Sequence, residues 1–159
     1  MSFVIRQMNE RDIDGIMQNF SRMNKQRAQY ERFWQEHQAG LRVTFVAIAM
    51  DQVVGYANLV WQSDYAPFQV AGIPEINNMH VLDEFHRQGI GSALVQAAEH
   101  VAVAQGKPVI GIGVGLTSNY SAAQRLYPKL GYLPDNRGAQ PTLWGDVLYL
   151  TKQLLLQPD

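Results

Sequence analysis

The sequence predicts a mixed α/β fold of the α+β kind, a central mixed sheet flanked by helices, in one domain spanning residues 1–159. Three observations carry that expectation. Strand-like and helix-like runs follow one another as strand, two helices, three strands, helix, strand, helix and further strands, with apolar spacing switching between periods near two and near 3.6. Residues 42–50 and 53–62 are β-rich, and only Asp51 and Gln52 separate them, which is hairpin spacing. A strand over residues 75–82 runs into a helix in which Ile90, Leu94, Ala97, Ala98 and Val101 share one face, with Gly89 and Gly91 at the junction.

Composition narrows the function. The 159 residues suit one domain, and a hydrophobic share of 47% is enough for a proper core. A net charge of −1 offers no general attraction for nucleic acid. The absence of cysteine excludes disulfides, thiolate metal sites and cysteine nucleophiles. The start, Met1-Ser2-Phe3-Val4-Ile5-Arg6, has no signal-peptide layout. No apolar run approaches the roughly 18 residues of a membrane span. The expectation is a soluble, cytoplasmic protein with no membrane or nucleic-acid partner.

Taken in order, residues 3–7 read as a first strand. Asn9 is the expected cap of a helix with Glu10 and Asp12 in its first turn, where the helix dipole favours acids. Ile13, Ile16, Met17 and Phe20 mark its apolar stripe. A second helix covers residues 26–38, carries Tyr30, Phe33 and Trp34, and is stopped by Gly40. Its aromatic face serves either the core or a substrate pocket. After the hairpin, residues 63–74 read as a loop with Pro67, Gly72 and Pro74 as breakers. Asp64, Tyr65 and Phe68 in it either select a substrate amine or close the sheet. In the strand over 75–82 the apolar phase slips at Asn77-Asn78, as a β-bulge or burial on both faces would produce.

Gly106-Lys107-Pro108 breaks the long helix, and residues 109–114 form the next strand. Its alternating glycines, Gly111 and Gly113, permit close approach of a neighbouring element. Ser118 or Asn119 caps a helix containing Ala122, Ala123, Leu126, Tyr127 and Leu130, and Gly131 ends it. Tyr132 and Leu133 begin a strand, residues 135–141 form a turn-rich loop, and residues 147–154 make the last strand.

The run Glu84-Phe85-His86-Arg87-Gln88-Gly89-Ile90-Gly91-Ser92 is where chemistry is expected. A helix start bares about four N–H donors and a partial positive charge, and glycine removes the side chains that would keep an anion away. The stretch is a candidate phosphate cradle, or else a tight strand-to-helix turn. It is not a dinucleotide fingerprint: Leu94 takes the third glycine's place, and Val109 and its neighbours Pro108 and Ile110 are not acidic. It is not a P-loop either, because no Gly-Lys-Ser/Thr follows.

The run His86-Arg87-Gln88-Gly89-Ile90-Gly91 resembles the pyrophosphate loop Gln/Arg-x-x-Gly-x-Gly/Ala of the GNAT (GCN5-related) N-acetyltransferases, with His86 departing from the first position. A second run, Leu126-Tyr127-Pro128-Lys129-Leu130-Gly131-Tyr132, resembles the family's Leu-Tyr-x-Lys-Leu-Gly-Phe/Tyr. The two motifs stand in family order, one helix and one strand apart, and with the strand pattern the likeness covers nearly the whole chain.

The resemblance implies a mostly antiparallel sheet whose fourth strand is bulged and splays from the next one to admit a thioester. It implies acetyl-CoA as co-substrate, with the main chain of Arg87, Gln88, Gly89, Ile90, Gly91 and Ser92 holding the pyrophosphate. Met79, His80 and Val81 would line the coenzyme and offer N–H groups to the acyl oxygen. Tyr127 would be the catalytic acid, since a phenol can protonate or stabilise a departing thiolate whose thiol has a pKa of about 8.5. Glu75 matches the place of a glutamate base, with His80 or water as the alternatives. Pro128 disfavours helix at Tyr127. The asparagine that many members carry seven residues before the tyrosine is here Tyr120, and Asn119, one residue off, is the stand-in coenzyme contact.

His37, His80, His86 and His100 have no metal-ligand spacing, so no metal is expected. The expected activity is acetyl transfer from acetyl-CoA to a primary amine by direct attack. The alternative is a non-catalytic acyl-CoA-binding sensor or regulatory module of the same fold, and a third option is an interaction protein that inherited it. The acceptor, a small-molecule or protein amine, is left open, and family habit admits a homodimer.

Overall fold

A computed structural model of the chain describes residues 2–154. Strands β1 (Val4–Gln7), β2 (Arg42–Ala49), β3 (Gln52–Val60), β4 (Glu75–Val81), β5 (Val109–Gly115), β6 (Leu133–Pro134), β7 (Gln140–Thr142) and β8 (Gly145–Gln153) form one sheet. Its order is β1-β2-β3-β4-β5-β8-β6, with β7 also on β8. Every pairing is antiparallel except that of β4 with β5. The helices are α1 (Asp12–Asn19), α2 (Arg27–Gln38), α3 (Ala66–Ala71), α4 (Ile90–Ala104) and α5 (Ser121–Lys129).

The apolar faces read from periodicity meet in two layers. The stripe of α4, now Ile90, Leu94, Val95, Ala98 and Ala102, packs with Ala47, Val54, Leu59 and Ile76 on one side of the sheet. On the other side Ile13, Ile16, Phe20, Tyr30 and Phe33 pack with Val46, Val53 and Tyr56. Each Val, Leu, Ile or Phe among them contributes about 1.5–3 kcal/mol on burial. Strands β2 and β3 are covered on both faces, which is why their apolar runs are nearly continuous. The aromatic face of α2 is therefore core, with Tyr30 and Phe33 buried. No helix of the described residues is long and apolar enough to cross a membrane.

Local chemistry moved several boundaries. The side chain of Asn9 does not cap α1. Instead Asp12 accepts the Asn9 N–H at 2.8 Å and pairs with Arg6, also at 2.8 Å. The hairpin turn is Met50-Asp51, one residue earlier than expected, with φ of 52° and 59° at the two positions. The expected loop over 63–74 holds α3, where Pro67 sits in the first turn and Gly72, at φ 70°, ends the helix. Pro67 and Gly72 are thus start and stop signals rather than breakers. Neither Ser118 nor Asn119 caps α5 through its side chain, because a 3₁₀ turn over Ser118–Tyr120 precedes it. The expected loop at 135–141 runs into β7, which is short and owes its pairing to β8 rather than to β-propensity of its own.

Candidate active site

The centre of interest is the edge that β4 turns towards β5. Tyr56 pairs with His80 and Asn58 with Asn77, so Asn78 and Met79 together oppose the single residue Ala57. That is a β-bulge, and Asn78 takes φ 48° to make it. The phase slip in the sequence is this extra residue. Strand β4 pairs with β5 only through Glu75 with Gly111 and Ile76 with Ile112. Beyond them the strands part, and among the described residues the main-chain groups of residues 77–81 that face β5 have no ladder partner. The fourth strand is bulged and splayed as expected.

Past β4 a 3₁₀ turn, Asp83–Phe85, leads into the glycine loop. A ring nitrogen of His86 lies 2.9 Å from the Val81 carbonyl oxygen and ties the loop to the end of β4. Arg87 takes φ 63° and Gly89 φ 84°. These left-handed residues swing the chain so that Gly89 becomes the N-cap of α4. The first backbone bond of α4 runs from Ala93 N–H to Gly89 O at 3.0 Å. The N–H groups of residues 87–92 have no protein acceptor among the described residues. The two glycines do different jobs. Gly89 supplies the positive φ, whereas Gly91 lets α5 approach, since a Cβ there would lie 3.2 Å from Leu126 Cδ2.

That contact brings α5 beside α4. Tyr127 sits in the last turn of α5, 5% exposed, near Tyr132 at 6.3 Å between ring centroids. Burial alone pushes its hydroxyl above the ordinary tyrosine range. Its side chain helps line a mainly apolar hollow of about 290 Å³ between α5 and the C-terminal strands. Pro128 comes next but does not unseat it. The missing N–H falls one residue before the helix ends at Lys129, and Tyr127 O still accepts from Leu130 and Tyr132 at 3.0 and 3.1 Å. Asn119 lies exposed in the 3₁₀ turn at the end of β5. Tyr120 covers Gly115 so closely that a Cβ there would lie 2.4 Å from its ring.

Glu75 occupies the closed end of the split. It is 8% exposed and hydrogen-bonded by the Ser63 hydroxyl. Burial, reinforced by Asp64, pushes its carboxyl above the usual range despite that bond. Around it the aromatic residues of the 63–74 segment do packing work. Phe68 lies over Gly111, where a Cβ would come within 2.2 Å of its ring. Tyr65 stacks on Tyr149 at 3.7 Å and its hydroxyl donates to Asp135 at 2.7 Å. Burial and the nearby carboxylates of Glu75, Asp64 and Asp135 push the Tyr149 hydroxyl up to about 12. Three or four residues of strand separate Glu75 from the bulge, roughly 10–13 Å.

His80, beside the bulge, faces the α1–α2 side with its ring 5.3 Å from that of Tyr56. Burial and the nearby Lys25 ammonium hold its pKa down to about 4. Lys25 itself lies between α1 and α2 and reaches Asn78 Oδ1 at 3.3 Å and His80 Nε2 at 3.4 Å. Nothing in the sequence around Lys25 marks it, and only the fold carries it to β4. His37 is structural, its Nδ1 accepting the Thr44 N–H at 3.1 Å.

A mixed sheet split beside a bulge, with a glycine loop opening the next helix, defines an acyl-transferase scaffold. The model of the Acetyltransferase (GNAT) family matches residues 11–132, and the chain belongs to that family. Comparison with curated protein sequences finds no match. Among solved structures, an N-acetyltransferase from Staphylococcus aureus Mu50 superposes with a TM-score of 0.77 at 18% identity, covering 98% of this chain and 100% of its own. The yncA protein of Salmonella typhimurium, solved with its cofactor acetyl-CoA, gives 0.76 at 19% identity over 100% of this chain and 99% of its own. The paia N-acetyltransferase of Thermoplasma acidophilum, in complex with coenzyme A, gives 0.71 at 16% identity over 96% and 99%. At these identities the likeness speaks for the fold.

Proposed function

We propose that the chain is one N-acetyltransferase domain that moves an acetyl group from acetyl-CoA to a primary amine by direct attack. The observation that carries this is the row of N–H groups at residues 87–92 without a protein acceptor among the described residues, beside a split strand pair whose inner N–H groups have no ladder partner among those residues either. The first suits a pyrophosphate, and the second suits an acyl oxygen. Bound acetyl-CoA supplies the activated acyl group, its pyrophosphate held by the main chain from Arg87 to Ser92 at the positive end of α4. Asn119, exposed near the end of β5, is a further coenzyme contact.

Main-chain N–H groups of Met79 and Val81 stabilise the acyl oxygen as it gains charge, whereas that of His80 is turned towards β3. The amine nitrogen bonds to the acyl carbon, the carbon–sulfur bond breaks, and sulfur leaves with the electron pair. Tyr127, kept protonated by burial, gives that sulfur a proton or a hydrogen bond. The amine's own proton goes to Glu75, which at roughly 10 Å from the bulge works through water. His80 is the weaker base because burial and Lys25 keep its proton affinity low.

Thermal unfolding with and without excess acetyl-CoA tests the cradle, and thiol release with an amine panel tests transfer. A ligand at about 100 times its Kd stabilises by roughly 2.7 kcal/mol. No shift at saturation overturns the coenzyme site. A shift with no thiol release from any amine class assigns the protein to the sensor reading instead.

A further inference from the structure

We propose that the acceptor is a small amine that also carries an oxyanion, carboxylate or phosphate, and that Lys25 binds this oxyanion. The inference deepens the acyl-transfer reading and rests on it. Lys25 is a half-buried cation whose neighbours are all neutral: Tyr56 OH at 3.5 Å, Asn78 Oδ1 at 3.3 Å and His80 Nε2 at 3.4 Å. Arg6, Arg27, Arg42 and Lys152 each hold a carboxylate at 2.7–3.1 Å. Lys25 has none within 4.0 Å among the described residues. Burial lowers its pKa, so the ammonium is kept there against a desolvation penalty. An anion arriving with a ligand offsets that penalty.

Position says which ligand. Asn78 is the bulge residue, next to Met79 at the split edge of β4. Met79 and Val81 pack on the α4 side, whereas His80 and Tyr56 meet on the α1–α2 side, where Lys25 also lies. The coenzyme loop opens α4, so the α1–α2 side is the one left for the nucleophile. An anion on Lys25 therefore sits only a few atoms from a nitrogen attacking at the bulge. That separation fits an amino acid or an aminoalkyl phosphate. A second ammonium in the acceptor would meet Lys25 as a like charge, which disfavours polyamines.

The test compares matched acceptors, β-alanine with β-alaninamide and 2-aminoethyl phosphate with ethanolamine, in wild type and Lys25→Met. Thiol release reads transfer. Mass spectrometry of acetic anhydride labelling at Lys25 reads occupancy, with N-acetyl-β-alanine and N-acetyl-2-aminoethyl phosphate as protectants. Wild type is expected to favour at least one charged acceptor about tenfold or more in kcat/KM. Lys25→Met should lose that preference mainly through KM, while stabilisation by coenzyme A is unchanged. The charged pair that shows the effect tells carboxylate from phosphate. Equal use of charged and uncharged acceptors, or a preference that survives in Lys25→Met, overturns the anion site and leaves acyl transfer standing. Protection of Lys25 by an anion without any turnover supports the anion site and overturns acyl transfer. Neither protection nor preference overturns the anion site.

Discussion

Replacing Tyr127 with phenylalanine removes one oxygen from a ring that is otherwise packed. The ring is 5% exposed and its hydroxyl takes part in no side-chain hydrogen bond among the described residues, so the fold loses little. Stability should change by less than about 1 kcal/mol. The departing sulfur, by contrast, loses a donor at the moment it carries charge. A hydrogen bond to a charged group is worth about 1.5–3 kcal/mol, which is roughly a 10- to 150-fold fall in kcat. Because that bond forms as the carbon–sulfur bond breaks, the affinity for acetyl-CoA should stay within about twofold. Burial holds the hydroxyl protonated across any ordinary assay pH, so the defect should be equally large from about pH 6 to 9. Thiol release at saturating acetyl-CoA gives kcat, and thermal unfolding with coenzyme A gives the binding arm. An unchanged kcat refutes the acid role, and so does an equal loss in kcat and coenzyme affinity.

Three further outcomes are expected. The raised pKa of Glu75 puts the acid limb of kcat/KM above the ordinary carboxylate value of about 4.3, because the base works only when ionised. Glu75→Gln should lower the rate by about 100-fold and remove that limb; the same substitution should not destabilise the protein at pH 8, since a raised carboxyl pKa means ionisation costs stability as pH rises through it. Gly89→Val forces a β-branched residue to φ 84°, at a cost of about 1–2 kcal/mol, and should abolish the thermal shift with coenzyme A, while a retained shift counts against the cradle. Gly111→Ala drives a methyl into Phe68 at 2.2 Å and should lower stability by about 1–3 kcal/mol, read as a fall in Tm; an unchanged Tm would mean that α3 is free to move.

Much of the scaffold was legible because it depends on short-range rules. The stripe of α4 and the hairpin between β2 and β3 follow from apolar period, which one strand or helix displays by itself, whereas the phase slip at Asn77-Asn78 signalled either a bulge or burial on both faces, and the pairing of Asn78 and Met79 opposite Ala57 decides for the bulge. The glycine loop was legible because positive φ at Gly89 and the bare N–H groups of a helix start are local properties. Residues 63–74 were misread because proline and glycine bound a short helix as readily as they break one.

What the tertiary structure alone decided concerns charge and distance. Glu75 looked like a strand-end carboxylate, and only its burial in the folded protein, with Asp64 nearby, makes it hard to ionise despite the Ser63 hydrogen bond. His80 looked like a base with an ordinary pKa, and only its burial, together with Lys25, 55 positions away in the chain, makes it a weak one. A pKa depends on which groups share a low-dielectric space, and no local pattern in a sequence specifies that company.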